Sequence, residues 1–226
     1  MALDIRHFTD AMATLAERLL AMGGLAEERL RAAVQALVDR DRDGIAAVVR
    51  GDGPINALHV EIDDRAFKLL ALHQPMAVDL RTIVATVKIN ADLERVGDLA
   101  VNIAEAADRY VRHPPVKMLI DLPRMGVIAQ GMLRESLDAF VSLDLDGARR
   151  VLARDDELDA LKNQVFRELL TYMLADPHTI EPALDLMLVS RHLERVGDHA
   201  TNVAEDVVFI VEARDVRHHA GDPGGA

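Results

Sequence analysis

Glu94, Asp98 and Asn102 stand four residues apart in LERVGDLAVNIAE, residues 93–105. One hundred residues later LERVGDHATNVAE, residues 193–205, sets Glu194, Asp198 and Asn202 in the same register. Ten of the thirteen positions are identical, a Gly, an Asp and an Asn among them, so the chain is read as two copies of one unit. A helix turns about 100° per residue, which puts each Glu–Asp–Asn row within one arc. Ile89, Leu93, Val96, Ala100 and Ile103 fall on the opposite side, so the acidic row faces outward or lines a groove. Carboxylates one turn apart destabilise a helix by a few tenths of a kcal/mol, and Arg95 points about 100° away from them. A cation offsets that repulsion, and oxygen ligands suit hard or borderline ions such as Mg, Ca, Mn or Fe. The plain alternative is a solvated acidic face.

A metal on such a face draws ligands from a second helix. His59 and Asp63 offer an i,i+4 pair in the first unit. At the motif's offset of one hundred residues stand Asp159 and Asn163, with Asp155 one turn earlier. Antiparallel neighbouring helices carry these toward the motifs. The expected ligands are His59, Asp63, Glu94, Asp98 and Asn102 on one face, and Asp155, Asp159, Glu194, Asp198 and Asn202 on the other. Other chemistries find little. There is no Glu-x-x-His, the mark of a di-iron bundle, and no Cys for a thiolate site or nucleophile. His218 and His219 read as part of a solvated tail.

Helical periodicity accounts for the elements that would position these residues. Apolar positions recur from His7 to Val38, interrupted by Gly23 and Gly24. Asp43 is the expected N-cap of a second helix that runs to Leu72 past the weak point GDGP, residues 51–54. Gln74 and Pro75 make the next turn, and a third helix covers 77–112. Pro114 and Pro115 divide the units. The second unit repeats the plan over 116–141, 148–174 and 181–214, with Pro123 and Gly126 bending or delaying its start. DLDG at 144–147 matches DRDG at 41–44, and residues 215–226 form a polar, loose tail. The expectation is an all-α protein of six helices. They form two pseudo-symmetric antiparallel three-helix bundles, residues 1–113 and 114–214.

Composition agrees and excludes. Half of the 226 residues are hydrophobic, yet there are only five Phe, two Tyr and no Trp, which favours helix-on-helix packing. A net charge of −12 argues against nucleic acid as a partner. No apolar run approaches the roughly 20 residues of a membrane span, and the N-terminus lacks a signal peptide's apolar core. The expected place of the protein is the cytoplasm.

With the paired ERVGD motifs at 94–98 and 194–198, the segments LLALHQPMAVDLRTI (69–83) and LLTYMLADPHTI (169–180) also stand out. In these the chain closely resembles the PhoU family of bacterial phosphate-signalling regulators over nearly its whole length. The resemblance implies tandem three-helix bundles that carry metal ions on their E/D-x-x-x-D faces and have no enzymatic activity. It also implies an accessory regulator that links the phosphate-specific ABC transporter, through its ATPase subunit, to a phosphate-sensing histidine kinase. Such a regulator represses the starvation response when phosphate is plentiful. Homodimers or larger assemblies are implied, with the membrane met only through protein partners. His59 stands where the family pattern expects an acid, as does Asn163. His59 would shift metal preference toward Zn, Fe or Ni, leaving Fe, Zn, Mn, Mg and Ni as candidates. The alternatives are a metal-free helical adaptor and a metal-dependent enzyme that uses the same carboxylates.

Overall fold

In the computed structural model, which describes residues 2–51 and 53–214, the apolar stripes pack as two helical bundles. The first contains α1 (Ala2–Asp39), α2 (Arg42–Arg50), α3 (Gly53–His73) and α4 (Ala77–Tyr110). The second contains α5 (Asp121–Ser142), α6 (Leu145–Ala175), a 3-10 turn (Pro177–Thr179) and α7 (Ile180–Glu212). No strand occurs among the described residues. The tail, 215–226, lies outside them, as do His218 and His219.

Four expectations are corrected. The second helix of the first unit is two helices, because α2 ends at Gly51, giving seven α-helices among the described residues instead of six. The N-cap of α2 is Asp41, which accepts a hydrogen bond from the Asp43 backbone N–H at 3.1 Å. Helix α1 runs unbroken through Gly23, and α5 begins at Asp121. Gly23 and Gly126 are instead where α1 and α5 cross. A Cβ on Gly23 would stand 2.4 Å from Leu137 Cδ1, and one on Gly126 would stand 3.1 Å from Val34.

These contacts set the true register of the duplication. Gly126 and Leu137 lie 103 residues after Gly23 and Val34, and the caps repeat at that same offset. Asp144 accepts from the Asp146 N–H at 3.0 Å, as Asp41 does from Asp43. Arg40 and Leu143, just before the caps, both take positive φ, 54° and 52°. The third helices repeat at 100. The second unit is therefore three residues shorter between its second and third helices.

The bundles meet along α4 and α7, which run antiparallel. Leu99, Ile103 and Ala106 of α4 and Val203, Val207 and Ile210 of α7 are buried. Three polar bonds across the seam run from the first bundle to the second, and Asn202 returns one to Asp92 at 3.1 Å. From the first bundle, Arg81 Nε donates to the Ile210 carbonyl (2.9 Å), Lys88 pairs with Asp206 (2.9 Å) and Arg109 with Asp185 (2.7 Å). Asp185 and Asp206 are nearly sealed from solvent, and a buried carboxylate is tolerable only when paired.

Candidate metal faces

The repeated Gly of ERVGD explains how α4 and α7 hold their neighbours close. A Cβ on Gly97 would stand 3.0 Å from Ile55 Cδ1, and one on Gly197 would stand 2.5 Å from Leu158 Cδ2. The second notch also admits Asp155, whose Oδ1 lies 3.5 Å from where that Cβ would be. A Cβ at Gly197 would require Leu158 to shift, and one at Gly97 would press on Ile55. Leu158 is 103 residues after Ile55, so the middle helices repeat at 103 and not at the motif's 100.

That register corrects the pairing of ligands. Asp159 corresponds to Asn56, not His59, and Lys162 corresponds to His59. Asp155 corresponds to Asp52, which lies outside the described residues. Sequence reasoning missed Lys162. The matching DRDG and DLDG turns, 103 residues apart, carried the signal that would have found it.

On the second face, Asp155, Asp159, Glu194 and Asp198 converge. Burial pushes the Asp155 carboxyl up to about 6, helped by the negative charges of Asp198, Asp159 and Glu194. Asp198 is also raised, first by burial and then by Glu194. A cation already stands among them. Lys162 Nζ donates to Asp159 Oδ1 at 2.7 Å and to Glu194 Oε1 at 2.5 Å. Asn202 turns away from the face and donates to Asp92 Oδ1 of the first bundle at 3.1 Å, beside His199 Nδ1 at 2.7 Å from the same oxygen.

The first face is built differently. Glu94 is half-buried and Asp98 exposed, and neither has an ion pair among the described residues. His59 Nδ1 is buried without a hydrogen-bond partner, while its Nε2 lies 3.8 Å from Asp63. Asp63 is engaged one turn further along, accepting from the fully buried Asn90 at 2.9 Å. Asn90 also donates to the His59 carbonyl at 2.9 Å, which fixes that turn of α3. Asn102 is half-buried at the position matching Asn202.

The two faces test differently for fit. The first unit carries His59 Nδ1 without a partner on α3, and Glu94 and Asp98 without an ion pair among the described residues on α4, donor types that suit a borderline divalent ion. On the second, two of the four carboxylates, Asp159 and Glu194, are already paired with an ammonium. Among the described residues, no three His, Asp or Glu side chains are placed to hold a metal. A groove of about 510 Å³ lies elsewhere, between α1 and α2, over the buried Arg29, and is a packing gap beside the break at Gly51. No helix of the described residues is long and apolar enough to cross a membrane.

Comparison with known proteins agrees with this duplicated architecture. The PhoU domain matches residues 19–107 and again 122–207, most of both bundles. The chain belongs to the PhoU family. The first match starts 103 residues before the second and ends 100 before it, the same three-residue shortening the packing reveals. Within the family, the chain is 44% identical over 213 residues to the phosphate-specific transport system accessory protein PhoU homolog of Caulobacter vibrioides. That alignment covers 94% of this chain and 93% of the other. The Escherichia coli accessory protein PhoU is 33% identical, over 96% of this chain and 90% of its own. The crystal structure of PhoU from Pseudomonas aeruginosa superposes with a TM-score of 0.88 at 37% identity, covering 92% of this chain and all of that one. The phosphate transport system regulatory protein PhoU from Streptococcus pneumoniae gives 0.85 at 26%, covering 92% and 99%.

Proposed function

We propose that the protein is an accessory regulator of phosphate-specific transport that represses uptake and starvation signalling when phosphate is plentiful. It couples the ATPase subunit of the ABC transporter to a phosphate-sensing histidine kinase in the cytoplasm, as a homodimer or larger assembly. The carrying observation is the identity of 44% over 94% of the chain to a protein named for that accessory role. A surface fit for protein partners supports it. Phe166, Leu170 and Leu174 on α6, and Ile180, Leu184 and Leu188 on α7, are exposed at four-residue spacing on neighbouring helices. A large exposed apolar patch rimmed by polar residues marks a protein interaction site. Deleting the gene is expected to derepress phosphate-starvation genes in phosphate-rich medium, and unchanged expression would sink the reading.

Metal is part of this proposal on the first face, where His59, Glu94 and Asp98 would hold a divalent ion such as Mn, Fe or Zn. When bound, the ion supplies positive charge that relieves the Glu94–Asp98 repulsion and stiffens the α3–α4 pair. A second reading, the metal-free adaptor, draws support from the lack of a three-ligand cluster among the described residues. Elemental analysis of purified protein beside E94A/D98A separates the two. Metal content that ignores those substitutions favours the adaptor.

A further inference from the structure

We infer that the second acidic face is closed to metal by Lys162, which serves as its permanent counter-ion, so that the chain takes metal on the first face alone. This rests on the metal reading just given. Lys162 Nζ already satisfies one oxygen of Asp159 and one of Glu194, at 2.7 and 2.5 Å. A protonated amine has no lone pair to give a metal, and its charge repels any cation drawn to the same oxygens.

The ammonium is held there by packing as well as by charge. Leu158 fills the Gly197 notch and Leu161 is buried beside it, which fixes the register of α6. Lys162 is therefore presented to Glu194 one turn beyond the notch, with its side chain only 28% exposed. At the same position of the first unit stands His59, whose Nδ1 is buried and unpartnered. A neutral imidazole can ligate where an ammonium cannot. One substitution at one repeat position thus separates a face that accepts a cation from one that carries its own.

The experiment is titration of chelator-stripped, full-length protein with Mn²⁺ alone, followed by calorimetry. Wild type is expected to take one ion per chain. E94A/D98A should lose it and E194A/D198A should keep it. K162M should gain a second site, with affinity at that face raised by about tenfold or more, as removal of a competing charge requires. K162R retains the charge and should behave as wild type, which separates charge from a folding defect. Wild-type binding that E194A/D198A abolishes overturns this inference and leaves the metal reading standing. So does a K162M stoichiometry equal to that of wild type. No binding by wild type or K162M overturns the metal reading, and this inference with it.

Discussion

The two ERVGD helices present their acidic rows in the same way, yet what stands opposite differs. At one repeat position of the neighbouring helix the first copy has His59, with an unpartnered ring nitrogen, and the second has Lys162, bonded to two carboxylates. The elements shared by both copies are the ones that packing dictates. Gly97 and Gly197 must stay small because Ile55 and Leu158 fill their notches. Asp41 and Asp144 must stay because each satisfies an orphan backbone donor at a helix start. The His59/Lys162 position fills no such notch and caps no helix, and there the two copies differ in charge. Duplication preserved the scaffold and let the two faces diverge in chemistry.

The strongest way to break the comparison is at the seam, where the bundles cease to be equivalent. At three of its bonds the first supplies Arg81, Lys88 and Arg109 and the second supplies the Ile210 carbonyl, Asp206 and Asp185 as acceptors; the Asn202–Asp92 bond runs the other way along α4 and α7. Arg109→Ala strands the buried Asp185 carboxylate and is expected to cost about 2–3 kcal/mol in urea unfolding. The Arg149–Glu212 pair at 2.9 Å lies within the second bundle, and both its side chains are far more exposed than Asp185. Arg149→Ala should therefore cost about 1 kcal/mol or less. Equal losses would mean that the seam draws nothing from its ion pairs.

The next effect tests whether the halves are equivalent where they look alike. Asp41→Ala removes the cap of α2 and is expected to cost about 1 kcal/mol. Asp144→Ala should lower Tm by a comparable amount, because the backbone geometry around it is the same to within 0.1 Å at the capping bond. Hydrogen bonds from the Gly147 and Asp146 backbone N–H groups hold the Asp144 carboxyl below the usual carboxylate range. Its contribution is present above the unfolded value and is lost as pH falls through the folded one. A much smaller loss for Asp41→Ala would show that the break at Gly51 uncouples α2 from the core.

Much of this was legible in the sequence because the governing forces are local. The 3.6-residue periodicity of α4 and α7 and the turn residues at 41–44 and 144–147 specify a doubled helical bundle without any tertiary knowledge. The ligand pairing was not legible from the motif alone. An offset of one hundred residues is true of the third helices, but three residues are missing before α7, so the offset misaligns α6 against α3 by nearly one turn. That error paired His59 with Asp159 and left Lys162 out of the acidic face. Asn202 was misjudged for a related reason. Its arc borders the acidic row, and only the position of the sister bundle decides that its amide meets Asp92. Gly23 and Gly126 looked like helix breakers because propensity cannot see the partner helix that needs the missing side chain.

The smallest effect sharpens the comparison most directly, because it reads the electrostatic cost that remains on the second face despite Lys162. Asp155 lies in the Gly197 notch with its carboxyl pushed up to about 6 from an ordinary 3.8 by burial, then by Asp198, Asp159 and Glu194. Between these values the folded chain holds a proton that the unfolded chain has released. The favourable contribution of this group is therefore present in full at low pH and is lost as pH rises through about 6. Asp155→Asn mimics the protonated form at every pH. With chelator present, it is expected to raise Tm by a few degrees near neutrality and to leave it close to wild type at about pH 4. A gain of the same size at both pH values would point to packing in the notch as the cause. A loss near neutrality would mean that Asp155 gains more from Lys162 than it loses to Asp198 and Glu194, and the second face would then be balanced in charge and not overloaded.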